Sequence, residues 1–437
     1  MPKLTAFLLL LFVPTSFFAQ TPPKKHKDFG SSLKKLQWDP AKKEASVVES
    51  ARTTDDDVDV IKVETSLVAW DVLVADAKGN PVQGLTADDF QVTEDDQPQT
   101  VGHFMLGDSK VVPRTIVLII DYSGSQLPYI RNSIDAAKLM VDKLAPQDRM
   151  AIVTDDVELL VDFTTDKELL KKKLESLFKK TRIHGNFIVG KSRSLGKSDQ
   201  YSSLLATLNE LFDDSDQRPI IVFQTDGDQA YRLRDSIVPR EIPPDLPDET
   251  REAMERALAR GQFDLDDQAS FSLADIYRAA EKSRATIYTV VPGLRLVNVS
   301  PEEQVERTKT IFEKARDELF IGVSEERKKA AIEQQDRTWR PLSPLNLRAR
   351  ANQAYKVQLA LAALSLRTGG WTEFLESPEQ ASAIYARIFD DITKRYVIGY
   401  YPTNKTHDGT RRKISVTIKN HPEYAVLGRK AYYAPRE

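Results

Sequence analysis

Between Thr115 and Val291 the chain alternates short, wholly apolar runs with longer stretches of helical spacing. "RTIVLIID", "RPIIVFQTDG" and "TIYTVV" are runs of the first kind, the mark of strands buried on both faces. "LPYIRNSIDAAKLMVDKL" puts Ile130, Ile134, Ala137 and Leu144 on one helical face, and "KELLKKKLESLFKK", "SSLLATLNELF" and "LADIYRAAEKSRA" are helices by the same test. "DRMAIVTDD" and "VELLVDFTTD" read as strands. This alternation predicts an open, largely parallel α/β sheet flanked by helices. Residues 298–352 are highly charged and read as solvated helices inserted after "TIYTVV". "QLALAALSLRTGGWTEFL" then resumes a helix, a Gly turn and a strand, and "PEQASAIYARIFDDITK" is the last helix.

The two ends of this block have a different, period-two texture. "SLVAWDVLVAD" alternates and is followed by the turn "KGNP". "DDFQVTEDDQPQTVGHFML" reads as two strands around a Glu94–Gln97 turn. "RYVIGYYP", "RRKISVTIKN" and "YAVLGRKAYYAP" read as three more, with Ile414, Val416 and Ile418 on one face and Ser415, Thr417 and Lys419 on the other. Neither end holds enough strands for a stable sheet alone. Strands from residues 61–110 and 391–437 are therefore expected to pair into one β-sandwich, with the α/β block of residues 111–390 inserted into it.

Residues 1–20, "MPKLTAFLLLLFVPTSFFAQ", carry one basic residue, an apolar run and a small residue before a polar stretch. They read as a signal peptide, the alternative being an uncleaved anchor. Residues 21–60 have the composition of a flexible linker. Within it Asp55, Asp57 and Asp59 have the alternation of a calcium loop, but Val60 stands where its turn needs Gly. Export, to the periplasm or beyond the cell, is the expectation, and no other stretch is long enough to span a membrane. Balanced charge, 62 basic against 65 acidic side chains, gives no footprint for nucleic acid. With no cysteine and five scattered histidines, disulfides, thiolate metal sites and paired-histidine zinc sites are not expected.

Candidate chemistry gathers where two of the apolar strands end. "IVLIID" runs into "YSGS", giving Asp121, Ser123 and Ser125, and "IIVFQT" runs into Asp226 and Gly227. Carboxylate and hydroxyl oxygens without nitrogen or sulfur suit Mg²⁺ or Mn²⁺. The neutral serines leave much of the ion's charge uncancelled, so an incoming carboxylate has a place to bind. For the same residues the alternative is structural, with Asp121 and the serines capping the helix that begins near Leu127 and Asp226 as a turn residue.

"DYSGS" after one strand and "TDG" after a later one resemble the von Willebrand factor A domain and its metal-ion-dependent adhesion site. The wider chain is similar to the von Willebrand factor A–related proteins typical of acidobacteria. That resemblance lies in "VADAKGNPVQGLTADDFQVTEDDQPQ", "VDFTTDKELL", "YVIGYYPTN…RKISV" and "RKAYYAP". It covers most of residues 62–437, outside 298–352 and parts of 182–200 and 230–268. It implies a Rossmann-like α/β domain and a Mg²⁺ (or Mn²⁺/Ca²⁺) site that captures an acidic side chain of a protein partner. The loop residues themselves supply no evident nucleophile, general base or leaving-group acid, so no enzymatic activity is expected. Carried over by motif, Asp121, Ser123, Ser125 and Asp226 are metal ligands. The family's ligand threonine matches Ser202 in "QYSSLLATL", where both family glycines are missing; Ser203 is the fallback. Asp96 stands where the family's turn has Gly. The alternative function is a metal-free scaffold in an envelope assembly.

Residues 185–192, "GNFIVGKS", fit the phosphate-loop pattern G-x-x-x-x-G-K-[ST]. That loop needs a strand before it and a helix opening at Lys-Ser, whereas here a helical pattern precedes it and polar "RSLGKSDQ" follows. The match is read as fortuitous and no nucleotide is expected.

Overall fold

The computed structural model describes residues 36–39, 44–47, 67–106, 113–126, 129–181, 198–212, 218–236, 242–259, 269–320 and 322–436. The leader-like segment, most of residues 21–60 and "GNFIVGKS" lie outside them. Inside the stretch read as a linker, β1 (Leu36–Asp39) pairs antiparallel with β2 (Glu44–Val47).

Strands from the two chain ends build two four-stranded antiparallel sheets. The first set is β3 (Val68–Ala75), β4 (Phe90–Glu94), β5 (Gln97–Gln99) and β6 (His103–Leu106). Between the sandwich halves come the α/β strands β7 (Thr115–Ile120), β8 (Arg149–Thr154), β9 (Leu159–Thr164), β10 (Pro219–Gln224), β11 (Thr286–Pro292) and β12 (Thr372–Leu375). The second set is β13 (Tyr396–Tyr400), β14 (Arg411–Ile418), β15 (Ala425–Gly428) and β16 (Ala431–Tyr433). One sandwich sheet runs β15-β3-β13-β6, the other β16-β14-β4-β5. Each sheet thus mixes N- and C-terminal strands, as the pairing of two incomplete ends requires. Trp70, Val72, Phe90, Val92, Tyr396, Ile398 and Ile414 fill the space between them. Asp95 and Asp96 turn the β4–β5 hairpin with φ of 46° and 65°. Both positive values suit a primed hairpin turn, and Asp tolerates the left-handed region where Gly is the commoner choice.

Two stretches read as single strands are each two. Residues 97–106 leave β4 as β5 and reappear beside β13 as β6, and residues 425–433 pair first with β3 and then with β14. The chain changes sheet midway. Hydropathy alternation marks an inward face but not which sheet carries it.

The α/β sheet has the order β12-β11-β10-β7-β8-β9. Numbered along the chain from β7, this is 3-2-1-4-5-6, the Rossmann order, with only β9 antiparallel. On one face lie α1 (Ile130–Asp142), α2 (Lys167–Thr181) and α9 (Ala381–Lys394). On the other lie α3 (Gln200–Ala206), α5 (Leu273–Lys282) and α8 (Pro344–Thr368). α4 (Asp248–Ala259) precedes α5 in the chain. With both faces covered, all six residues of β7 and all six of β10 are buried. The charged stretch forms α6 (Pro301–Leu319) and α7 (Glu325–Thr338) and, after a turn over residues 339–343, the first part of α8. Ser343 caps α8 by accepting from the Asn346 N–H, with Pro344 opening the helix.

The sandwich attaches at the amino ends of the parallel strands, through buried cations. Arg218, just before β10, donates to the Ile392 carbonyl at 2.8 Å and meets Asp71 of β3 at 3.4 Å. Arg395, just before β13, binds Asp391 through two hydrogen bonds of 2.9 and 3.0 Å and the Gly369 carbonyl at 2.7 Å. Arg429 donates to the carbonyls of Ala280, Glu281 and Ala285, and Glu281 holds Arg411 and Arg367. The carboxyl ends of the strands face the other way.

Candidate functional site at the switch in strand order

Strand order reverses between β7 and β10, and both strands end in oxygen-bearing loops. The Asp121 N–H donates to the Gln224 carbonyl at 3.0 Å, so the two loops leave the sheet side by side. Asp121 Oδ1 accepts from the Ser123 N–H at 3.0 Å, folding the first loop back on itself. A 3₁₀ turn over Gly124–Gln126 brings the Ser123 and Ser125 hydroxyls within 3.1 Å of each other. In the second loop Thr225 Oγ1 donates to Asp121 Oδ2 at 3.0 Å and accepts from the Gly227 N–H at 2.9 Å. Asp226 Oδ1 accepts from the Asp228 N–H at 3.1 Å.

α3 supplies a third element. Gln200 donates its amide to Asp121 Oδ2 at 2.8 Å while its Oε1 accepts from the Gln229 N–H at 3.0 Å. Gln229 in turn receives the Ser202 N–H at 2.9 Å and donates to Ser202 Oγ at 2.8 Å. Asp121, Ser123, Ser125, Ser202 and Asp226 thus lie on two neighbouring loops and the first turn of α3, tied together by side-chain hydrogen bonds. Ser203 is turned away, donating to the Thr154 carbonyl at 2.7 Å and accepting from the Val157 N–H.

Capping does not account for the first loop. α1 starts at Ile130 with Tyr129 at its N-cap and no side-chain cap hydrogen bond, so Asp121, Ser123 and Ser125 do not cap it. Asp226 does act as a turn residue, through Oδ1, while Oδ2 accepts from Gln126 Nε2 at 2.6 Å.

Sequence reasoning missed several members of this cluster. Asp155, at the end of β8, is fully buried and accepts the N–H groups of Tyr122 and Ser198. Burial, then the nearby Asp121 charge, pushes its carboxyl up to about 8. Asp226 is pushed well above its ordinary value by burial and by Asp228 and Asp121. Asp228 rises to about 6, again through burial first, with Ser125 and Arg232 pulling the other way. Asp155 follows the strand-end rule that picked out Asp121, since "IVTDD" closes an apolar run. The three glutamines carry no such signal.

Among the described residues, no three His, Cys, Asp or Glu side chains group as a metal cage. The donor set here is mixed: carboxylates, hydroxyls and amides. Two features fit a divalent cation. Buried Asp121 and the half-buried Asp226 and Asp228 repel one another, and Gln126 Oε1 is a buried acceptor with no hydrogen-bond partner. Oxygen-only donors are what Mg²⁺, Mn²⁺ or Ca²⁺ take. Ser202 Oγ, although it accepts from Gln229, keeps a second lone pair.

No protein-family model and no curated protein matches the chain. Among solved structures it is similar to a von Willebrand factor type A protein from Catenulispora acidiphila, at 11% identity over 85% of this chain and 73% of that one, TM-score 0.30. It is similar to the vWF domain of the type V pili tip protein Mfa5 from Porphyromonas gingivalis, at 14% identity over 64% and 95%, TM-score 0.31. It is also similar to an aerotolerance-related membrane protein from Bacteroides fragilis, at 13% identity over 41% and 67%, TM-score 0.22. Strand order and the two oxygen-bearing loops at the switch point make this a Rossmann-like α/β domain set into a β-sandwich.

Proposed function

We propose that the chain is an exported binding protein that captures an acidic side chain of a protein partner through one divalent cation. Asp121, Ser123, Ser125, Ser202 and Asp226 would hold the ion, and a bound Mg²⁺, Mn²⁺ or Ca²⁺ supplies a positively charged coordination position for the partner's carboxylate. The observation that carries this reading is the meeting, at the switch point, of the buried Asp121 and half-buried Asp226 carboxylates with serine hydroxyls from the first loop and from α3. The sandwich occupies the opposite end, which leaves this end for a partner. Binding rather than turnover is favoured by the company the hydroxyls keep. Ser123 and Ser125 bond to each other, and the described histidines, His103, His407 and His421, lie in or beside sandwich strands. The leader-like first twenty residues support export, and no helix among the described residues is long and apolar enough to cross a membrane.

One observation favours the metal-free scaffold instead: glutamine amides already donate to both Asp121 and Asp226. Calorimetric titration of Mn²⁺ into the EDTA-treated full chain separates the two readings. Saturation near one ion per chain, lost in Asp121→Ala, supports the cation site. No saturable heat in the wild-type protein leaves the scaffold.

A further inference from the structure

Gln126 is the last residue of the 3₁₀ turn after Ser125 and is 1% exposed. Its backbone is held on both sides, its N–H donating to the Ser123 carbonyl at 3.1 Å and its carbonyl accepting from the Tyr129 N–H at 2.8 Å. Its side-chain nitrogen donates to Asp226 Oδ2 at 2.6 Å, while its Oε1 is buried without a partner. A buried amide anchored so firmly at one end and unmet at the other calls for an explanation.

Distance supplies one. The nitrogen and oxygen of a primary amide share a carbon and sit about 2.2 Å apart. Gln126 Oε1 therefore lies within about 5 Å of Asp226 Oδ2. Two oxygens bound to one Mg²⁺, Mn²⁺ or Ca²⁺, each at about 2.0–2.6 Å, span about the same range. We propose that Gln126 is a further ligand of the divalent cation, its Oε1 bonding the metal while its amide nitrogen stays on Asp226. This rests on the cation reading of the site. An amide oxygen adds a hard donor without adding negative charge, so the ion keeps the net charge that attracts an acidic partner. The Asp226 hydrogen bond fixes which end of the amide can face the ion, the orienting role that outer partners of metal ligands commonly play.

The test is Mn²⁺ calorimetry on the full chain carrying Gln126→Leu or Gln126→Glu, beside wild type, with melting curves in EDTA to confirm folding. Leu keeps bulk without oxygen; Glu restores an oxygen. The expected result is binding about ten-fold weaker, or more, in Gln126→Leu, and at least as tight as wild type in Gln126→Glu. Unchanged affinity in the Leu variant, or equal weakening in both, overturns the assignment and leaves the cation site standing. If the Leu variant fails to fold, weakened binding in the Glu variant overturns it and undiminished binding supports it. Wild-type protein that binds no Mn²⁺ removes both claims.

Discussion

Gly227, between Asp226 and Asp228, offers a quantitative test of the loop that carries the second half of the site. Its backbone sits at φ 77° and ψ 21°, in the left-handed region. A Cβ there would lie 2.9 Å from Val357 Cγ1 and 3.1 Å from Leu361 Cδ1, two buried side chains of α8. Replacing Gly227 by Ala therefore has two costs. Left-handed backbone with a Cβ costs about 1–2 kcal/mol, and overpacking a well-filled core costs about 1–3 kcal/mol. Against these, Ala restricts the unfolded chain and returns about 0.4–1 kcal/mol. The net expectation is a loss of about 2–4 kcal/mol, a large part of a typical folding stability of about 5–15 kcal/mol. Urea unfolding followed by circular dichroism reads it directly. Because the clash is with Val357, the double variant Gly227→Ala/Val357→Ala should be more stable than the sum of the single losses predicts. A loss below about 1 kcal/mol, or strict additivity with Val357→Ala, would refute the loop geometry and its packing against α8.

Two more perturbations probe charge inside the fold. In EDTA the Asp155 carboxyl, raised to about 8, keeps a proton that the unfolded chain releases near its ordinary value of 3.8. The folded state binds more protons across that window, so stability is full below pH 4 and falls as pH rises toward 8. One such proton is worth about 1.4 kcal/mol per pH unit. Unfolding free energies from urea curves at pH 6 and pH 8 should thus differ by about 2–3 kcal/mol in favour of pH 6, and Asp155→Asn should flatten the difference; equal stabilities in wild type would contradict it. At the other end of the sheet, Asp391→Ala strips Arg395, 1% exposed, of its carboxylate. Breaking such a buried pair is expected to cost about 3–5 kcal/mol in the same assay. Removing the exposed Arg131–Asp135 pair should cost less than about 1 kcal/mol. Similar losses for the two pairs would mean that Arg395 does not join the sandwich to the α/β sheet in the way described.

What could be read in advance followed from burial. β7, β10 and β11 were legible because strands covered on both faces are apolar throughout, and their ends marked Asp121 and Asp226. The sandwich was legible from alternation, down to Ile414 and Ile418 facing inward. Its crossings were not. Nothing in the hydropathy of residues 97–106 tells that Gln99 and His103 belong to different sheets. α8 read as two pieces because its first half is charged, although the cap at Ser343 starts one helix of 25 residues. In the site, strand ends gave the carboxylates but not what holds them. Gln200 reaches Asp121 across 79 residues and Gln126 reaches Asp226 across 100, and an amide has no characteristic spacing that would announce such a partner.

Crystals of the full chain grown in MnCl₂ and measured at the manganese absorption edge would show whether one divalent cation sits at the reversal of strand order. A single strong anomalous peak is expected within bonding distance of Asp121 and the Ser123 and Ser125 hydroxyls, beside Asp226. Manganese bound only elsewhere on the molecule, or no peak at this site in crystals soaked at saturating MnCl₂, would contradict it.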